Sequence, residues 1–354
     1  MQKMEEIDKS NNNLFKIDKM KKIILFLSVF FIGLVSAQET SNIKEIIKKA
    51  TEGNKTAQLA LGMAYDLGVD GLKQNFKEAI FWYTKAAEQG DDMAQLVLGE
   101  CYSEGKGIEQ SYSKAVYWYT KAAEQGNPDA QLKLGSCYYG GKEIKQSYTK
   151  AVYWYTKAAE QGNPNAQGML GACYYEGKGI EQSYSKAVYW YTKAAEQGNP
   201  NIQAQLGVCY DEGIGVEKSY SKAVYWYTKA AEQGNPNAQG ILGSYYYEGI
   251  GIEQSNSKAF YWWKKAAEQG NPNAQVELGV CYDEGIGVEK SKSKAFYWYK
   301  KSAEQGNSKA QYNLGACYYL GEGVEKSQNK AIYWLRKACE NFNDQACEIL
   351  NKLK

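Results

Sequence analysis

The chain reads as an all-α array of helical hairpins, and three observations predict it. Eight tryptophans, Trp82, Trp118, Trp154, Trp190, Trp226, Trp262, Trp298 and Trp334, stand 36 residues apart. All five prolines (Pro128, Pro164, Pro200, Pro236, Pro272) and six cysteines (Cys101, Cys137, Cys173, Cys209, Cys281, Cys317) keep that period. Within each period the apolar residues recur at three and four, the helical spacing, and not at two. A period near 36 means supersecondary units that stack on their neighbours, so a chain of 354 residues grows here by repetition and not by division into separate cores.

Residues 1 to 37 come first. Lys21-Lys22 precedes an apolar run from Ile23 to Val35, followed by Ser36-Ala37, the pattern of a secretory signal peptide cut before Gln38. The run falls short of the roughly 20 residues needed to span a bilayer, and no Cys follows it to carry a lipid anchor. Met20 stands where such a signal begins, so residues 1 to 19 read as an upstream start; the alternative for the whole segment is an uncleaved anchor. Residues 38 to 53 are assigned to an N-terminal capping helix, 54 to 342 to eight repeats, and 343 to 354 to a C-terminal capping helix.

The third repeat shows how each unit is built. Helix A, Asp129 to Tyr139, carries Ala130, Leu134 and Tyr138 on one stripe, with Gly135 beside it to admit a neighbouring helix. Helix B, Ser147 to Glu160, places Ala151, Trp154, Tyr155, Ala158 and Ala159 at spacings of three and four, small residues making room for large ones. Ser147 is suited to cap the first turn, and Gly162 to take the left-handed conformation that stops the helix. One hairpin alone exposes an apolar face on each side, so its stability must come from its neighbours.

Ala166-Gln167, Leu170-Gly171, Tyr174, Glu176-Gly177-Lys178-Gly179, Lys186-Ala187, Trp190-Tyr191, Lys193-Ala194-Ala195 and Glu196-Gln197-Gly198 carry a resemblance to the Sel-one-like repeat family, recurring eight times over about residues 54 to 342. The resemblance implies an α/α right-handed superhelix similar to tetratricopeptide solenoids, acting as an adaptor that binds proteins on its concave, helix A side. The third unit departs with Gly140 and Glu143 where others have Glu and Gly, and the first has an extra residue near Gly68-Val69-Asp70-Gly71, changes confined to turns. Cys339 and Cys347, eight apart across the last junction, resemble the Helicobacter cysteine-rich protein family, in which such pairs are disulfides. That resemblance implies a Cys339–Cys347 bridge stapling the terminal helix, permitted by export.

Composition narrows the chemistry. With 44% hydrophobic and 23% charged residues, and 35 Gly beside 5 Pro, the chain is neither disordered, collagen-like nor a multispanning membrane protein. Histidine is absent, which removes Ser-His-Asp and Cys-His nucleophiles, His-ligated metals and imidazole acid-base steps. Removing residues 1 to 37 takes six lysines and four acids and leaves a formally neutral chain, with no basic face for nucleic acid or anionic membrane. No cofactor is expected. The periodic cysteines lie about one helix-packing layer, about 10 Å, apart, too far for disulfides or a shared metal, and read as small helix A residues. Ser-x-x-Lys recurs, as Ser111 to Lys114, Ser147 to Lys150 and Ser183 to Lys186, but the Ser-Asp-Asn and Lys-Thr-Gly elements of a β-lactamase are missing, so these serines read as helix caps. Because the resembling cysteine-rich branch includes penicillin-binding members, a β-lactamase-like hydrolase stays as the enzymatic alternative. Gly105-Lys106-Gly107 and Asp211-Glu212-Gly213 lack the remainder of a phosphate or calcium loop and read as turns.

Positions that differ between repeats are free of the stacking requirement and can meet a ligand. One row ends helix A: Asp66, Ser103, Tyr139, Tyr175, Asp211, Tyr247, Asp283 and Tyr319. Another lies near its start: Ala60, Val97, Lys133, Met169, Gln205, Ile241, Glu277 and Asn313. Lys133, Tyr139, Tyr175, Asp211, Tyr247, Glu277, Asp283 and Tyr319 are the candidate binding residues, since exposed tyrosines in particular form interface hot spots; simple solvation of these positions is the alternative. Helix B adds Phe81, Tyr117, Tyr153, Tyr189, Tyr225, Tyr261, Tyr297 and Tyr333, explained either by packing between successive helices B, the favoured reading, or by stacking on a glycan. The expected function is an exported, periplasmic or secreted, scaffold for a protein or peptide partner, without catalysis; glycan or peptidoglycan binding is the non-protein alternative.

Overall fold

The computed structural model describes residues 39–352 apart from 70 and 142–143; the signal-like segment lies outside them, as do Asp70 and Glu143 of the irregular turns. Every element is an α-helix, and there is no strand among the described residues. The chain falls into two compact units. The first, ending at Gln125, holds a leading helix, Glu39–Thr51, and two hairpins, Lys55–Leu67 with Phe76–Glu88 and Asp92–Glu104 with Tyr112–Glu124. The leading helix covers the open face of the first hairpin, burying Ile43 and Ala50 against Ala57, Leu61 and Ala64.

The second unit, from Gly126, holds six hairpins and a closing helix. Its helices A are Pro128–Gly140, Pro164–Glu176, Pro200–Glu212, Pro236–Glu248, Pro272–Glu284 and Ser308–Leu320. Its helices B are Tyr148–Glu160, Tyr184–Glu196, Tyr220–Glu232, Asn256–Glu268, Lys292–Glu304 and Gln328–Glu340. The boundaries have local causes. Ser147 stands just outside helix B in extended conformation and its hydroxyl accepts from the Lys150 amide at 3.3 Å. Helix A starts at Pro164, whose missing amide hydrogen would have no helical partner, after Asn163 accepts from the Ala166 amide at 3.0 Å. Gly177, at φ 69°, closes helix A by donating to Cys173 O.

Packing follows the predicted stripes. Ala130, Leu134, Ala151, Tyr155, Ala158 and Ala159 are all buried, and the core of the third repeat joins its helix B to helix A of the fourth, where Val152 and Tyr155 meet Ala166, Leu170 and Cys173. Gly135 is the notch that receives the Tyr155 ring, since a Cβ there would stand 2.7 Å from it. Trp154 is only half-buried.

The last turn departs from the others. Phe342 occupies the place of Gly162 and its equivalents, at φ 61°, and is 93% exposed. The Cys339–Cys347 disulfide bridges this turn, with Cα atoms 4.9 Å apart, and ties the closing helix Asp344–Lys352 to the last helix B. Since a side chain in the left-handed region costs about 1–2 kcal/mol and this one buries nothing in return, Phe342→Gly is expected to raise the melting temperature; a lower one would show that the ring contributes to the fold.

Candidate functional site

The end of helix A is where neighbouring repeats are tied. Tyr139 is partly buried: its hydroxyl accepts from Lys178 Nζ at 3.1 Å and donates to Glu176 Oε2 at 3.4 Å, while Lys178 also pairs with Glu176 at 2.7 Å. Burial raises the Tyr139 pKa, and the hydrogen bonds to Glu176 and Tyr139 raise that of Lys178. Tyr175 is partly buried with its ring edge-on to Tyr184. Asp211 lies beside the Tyr245 hydroxyl, and Asp283 pairs with Lys292 at 2.7 Å, which also reaches Glu322 at 2.8 Å. Only Tyr247 and Tyr319 of this row present more than a third of their surface. At the start of helix A, Lys133 is partly exposed and Glu277 pairs with Lys309 of the next repeat at 2.9 Å. The two rows therefore mix exposed positions with inter-repeat ties, a division that residue identity alone does not reveal.

The helix B row is exposed. Its eight rings show 48–54% of their surface, so packing between successive helices B is not what holds them. Each instead meets the edge of the tryptophan that follows it, with centroids 4.9–5.2 Å apart in the second unit. The lysine one turn on, such as Lys157 beside Tyr153 at 5.3 Å, lies over the ring.

The serines and cysteines have structural work. Ser147, Ser183 and Ser219 cap helices, while Lys150, Lys186 and Lys222 extend over Tyr138, Tyr174 and Tyr210 at 5.1–5.5 Å. A Ser-x-x-Lys pair of this kind is a cap followed by a cation over a ring. All the periodic cysteines except the half-buried Cys137 are buried, and burial pushes the Cys173, Cys281 and Cys317 thiols up to about 12 and Cys209 to about 11, far from the thiolate that reactivity requires. Among the described residues no three acids or cysteines are placed to hold a metal.

Two polar ladders escaped the sequence reading. Buried Gln167 donates to Ala159 O at 3.1 Å and accepts from Gln197 at 2.8 Å, a pattern repeated at Gln203 and Gln239. Asn235 and Asn307 cap helices A and also donate to Asn201 and Asn273 at 2.9 Å. Their 36-residue recurrence was the available signal.

Alkaline pH should unravel this core. The thiols ordinarily titrate at 9.0 and tyrosine at 10.0, but burial raises those cysteines together with Tyr155, Tyr191 and Tyr299. Their contribution is therefore full below about pH 9 and is lost as the pH climbs toward the folded-state values, because the unfolded chain releases protons that the folded chain keeps. With no histidine, the melting temperature should be nearly flat between about pH 6 and 8. Thermal melts from pH 5 to 11 check both parts; a steep change near neutrality contradicts them.

Stacked helical hairpins with one shared core per repeat define a helical-repeat scaffold. Family comparison makes this specific: the Sel1 repeat matches eight times, at residues 55–91, 92–127, 128–163, 164–199, 202–235, 236–271, 272–307 and 308–341. The chain belongs to the Sel1 repeat family. It is similar to a protective antigen of uropathogenic Escherichia coli, c5321, whose crystal structure displays an SLR fold, at 40% identity over 88% of this chain and 67% of that one, with a TM-score of 0.84. A Sel1 repeat protein from Oxalobacter formigenes matches at 33% identity over 90% of this chain and 94% of its own, with a TM-score of 0.66. Over 70 residues the chain is 30% identical to the ERAD-associated E3 ubiquitin-protein ligase component HRD3A of Arabidopsis thaliana, covering 20% of this chain and only a tenth of that relative. No described helix is long and apolar enough to cross a membrane.

Proposed function

We propose that the protein is an exported, non-catalytic scaffold that binds a polypeptide along the helix A face, the side that the family's superhelix turns inward. One observation carries this reading: the candidate positions change identity from repeat to repeat, as Asp211, Tyr247, Asp283 and Tyr319 do, while the surrounding Ala, Leu and Gly of the core recur. A surface that varies on an invariant frame is how a repeat array acquires a particular partner. Tyr247 and Tyr319 offer exposed rings. Export is supported by Lys21-Lys22, the apolar run to Val35 and the small residues Ser36-Ala37.

Affinity capture from the cell-envelope and secreted proteome tests the reading, with a Tyr247→Ala, Tyr319→Ala variant in parallel. Neither ring is buried, so the variant folds, and it should bind a captured polypeptide at least about tenfold more weakly. Equal retention by both proteins would remove the helix A face from the function.

A further inference from the structure

The exposed aromatic row of helix B has no part in that reading, nor in the core. We infer that in the second unit Tyr153, Tyr189, Tyr225, Tyr261, Tyr297 and Tyr333 form a stacking track for a linear, uncharged polysaccharide, a polymer whose sugar rings each present an apolar face ringed by hydroxyls.

Three observations support it. First, about half of each ring faces solvent, and every repeat keeps an aromatic there. Phe81 fills the equivalent place in the first unit, so the ring and not the hydroxyl is what is retained. Second, each ring is held by an edge-on tryptophan and flanked by a lysine, as with Tyr225, Trp226 and Lys229. Such a ring is an ordered platform that loses little entropy on binding. Third, the track carries polar groups of both signs, Lys157, Lys193, Lys229, Lys265, Lys301 and Lys337 each being followed three residues on by a glutamate such as Glu160 or Glu340. Balanced donors and acceptors suit hydroxyls, which both donate and accept, and give no net field for a polyanion.

The geometry favours a polymer over a folded partner. Stations identical in chemistry recur once per repeat, about one helix-packing layer apart. A polypeptide epitope has no such period, whereas a polysaccharide does. Beside the last station an open cleft of about 440 Å³ lies between Glu304 and Gly306 of one repeat and Trp334, Lys337, Glu340 and Asn341 of the next. It sets an indole beside one cation and two carboxylates, the complement a single sugar ring requires.

Titration of the whole protein with chitin and cellulose oligosaccharides of two to eight sugars, and sedimentation with purified peptidoglycan sacculi, test the track. Affinity for at least one polymer should rise with chain length, and Tyr189→Ala and Tyr225→Ala should each weaken it roughly fivefold, with melting temperature unchanged. Tyr247→Ala, on helix A, should bind as the unaltered protein does. Failure of all three polymers to bind overturns the proposal, as does binding that ignores the ring variants. Polyglutamate binding that disappears with salt would assign the face to an acidic polypeptide and overturn it equally. The helix A reading is untouched by any of these outcomes.

Discussion

Replacing Gly179 by alanine should cost the fold about 4 kcal/mol, whereas the same change at Gly162 should cost about 1 kcal/mol. Both glycines are left-handed, at φ 73° and 91°, so a side chain strains the backbone equally at each. What differs is the space. A Cβ on Gly162 meets nothing within 4 Å, but one on Gly179 collides with the Tyr148 carbonyl and the Thr149 amide nitrogen, backbone at the start of the preceding repeat's helix B. Backbone inside a capped helix cannot step aside as a flexible side chain can. The turn between helices A and B is thus pressed against its neighbour, and the same fit recurs at Gly215 against Tyr184 and Gly287 against Asn256. Because repeat arrays lose stability locally, hydrogen exchange should show the excess opening concentrated where the third and fourth repeats meet, beside a reduced denaturation midpoint. Comparable losses for the two variants would mean that strain, and not this fit, sets the requirement for glycine.

The second large effect is a coupled one. Tyr227→Ala should cost about 4 kcal/mol, since its ring is 1% exposed and packs edge-on to Tyr245. Gly207→Ala alone should cost about 2 kcal/mol, because the new Cβ would lie 2.6 Å from that ring and the ring has nowhere to move. All three atoms nearest that Cβ belong to Tyr227. In the Tyr227→Ala background the Gly207→Ala change should therefore be nearly free, a coupling of about 2 kcal/mol in a double-mutant cycle. Additive losses would show that Gly207 is needed for helix geometry and not as the notch for the ring.

These effects show what could be read in advance. Gly135 and its equivalents were legible as points of close approach, because a glycine beside an Ala-Leu-Tyr stripe has few other uses in a helix. Ser147 as a cap and Gly162 as a stop were legible for the same reason, each being a local backbone requirement met by a local residue. The use of Gly179 was not, for its neighbour Tyr148 lies 31 residues away and is named by nothing in the turn itself. At the candidate site, Tyr139 and Tyr319 are the same residue at the same place in two repeats. One is partly buried with its hydroxyl bonded to Lys178 and Glu176, and the other is 42% exposed with Lys326 over its ring. The helix B tyrosines failed in the other direction: expected between helices, they stand half in solvent, because the tryptophan after each one packs toward the core.

The sequence by itself determined the helices, their caps, the number of repeats and the buried stripe, since all of these repeat with the period of the backbone and depend on residues within a turn or two of each other. Only the tertiary structure decided which exposed-looking residues tie one repeat to the next and which remain open to a partner. Those ties, Lys292 to Glu322, Lys309 to Glu277 and Gly179 on Tyr148, join positions about thirty residues apart. Whether such positions meet depends on the angle at which one hairpin packs on another, a quantity set by all the contacts between them together and carried by no single residue.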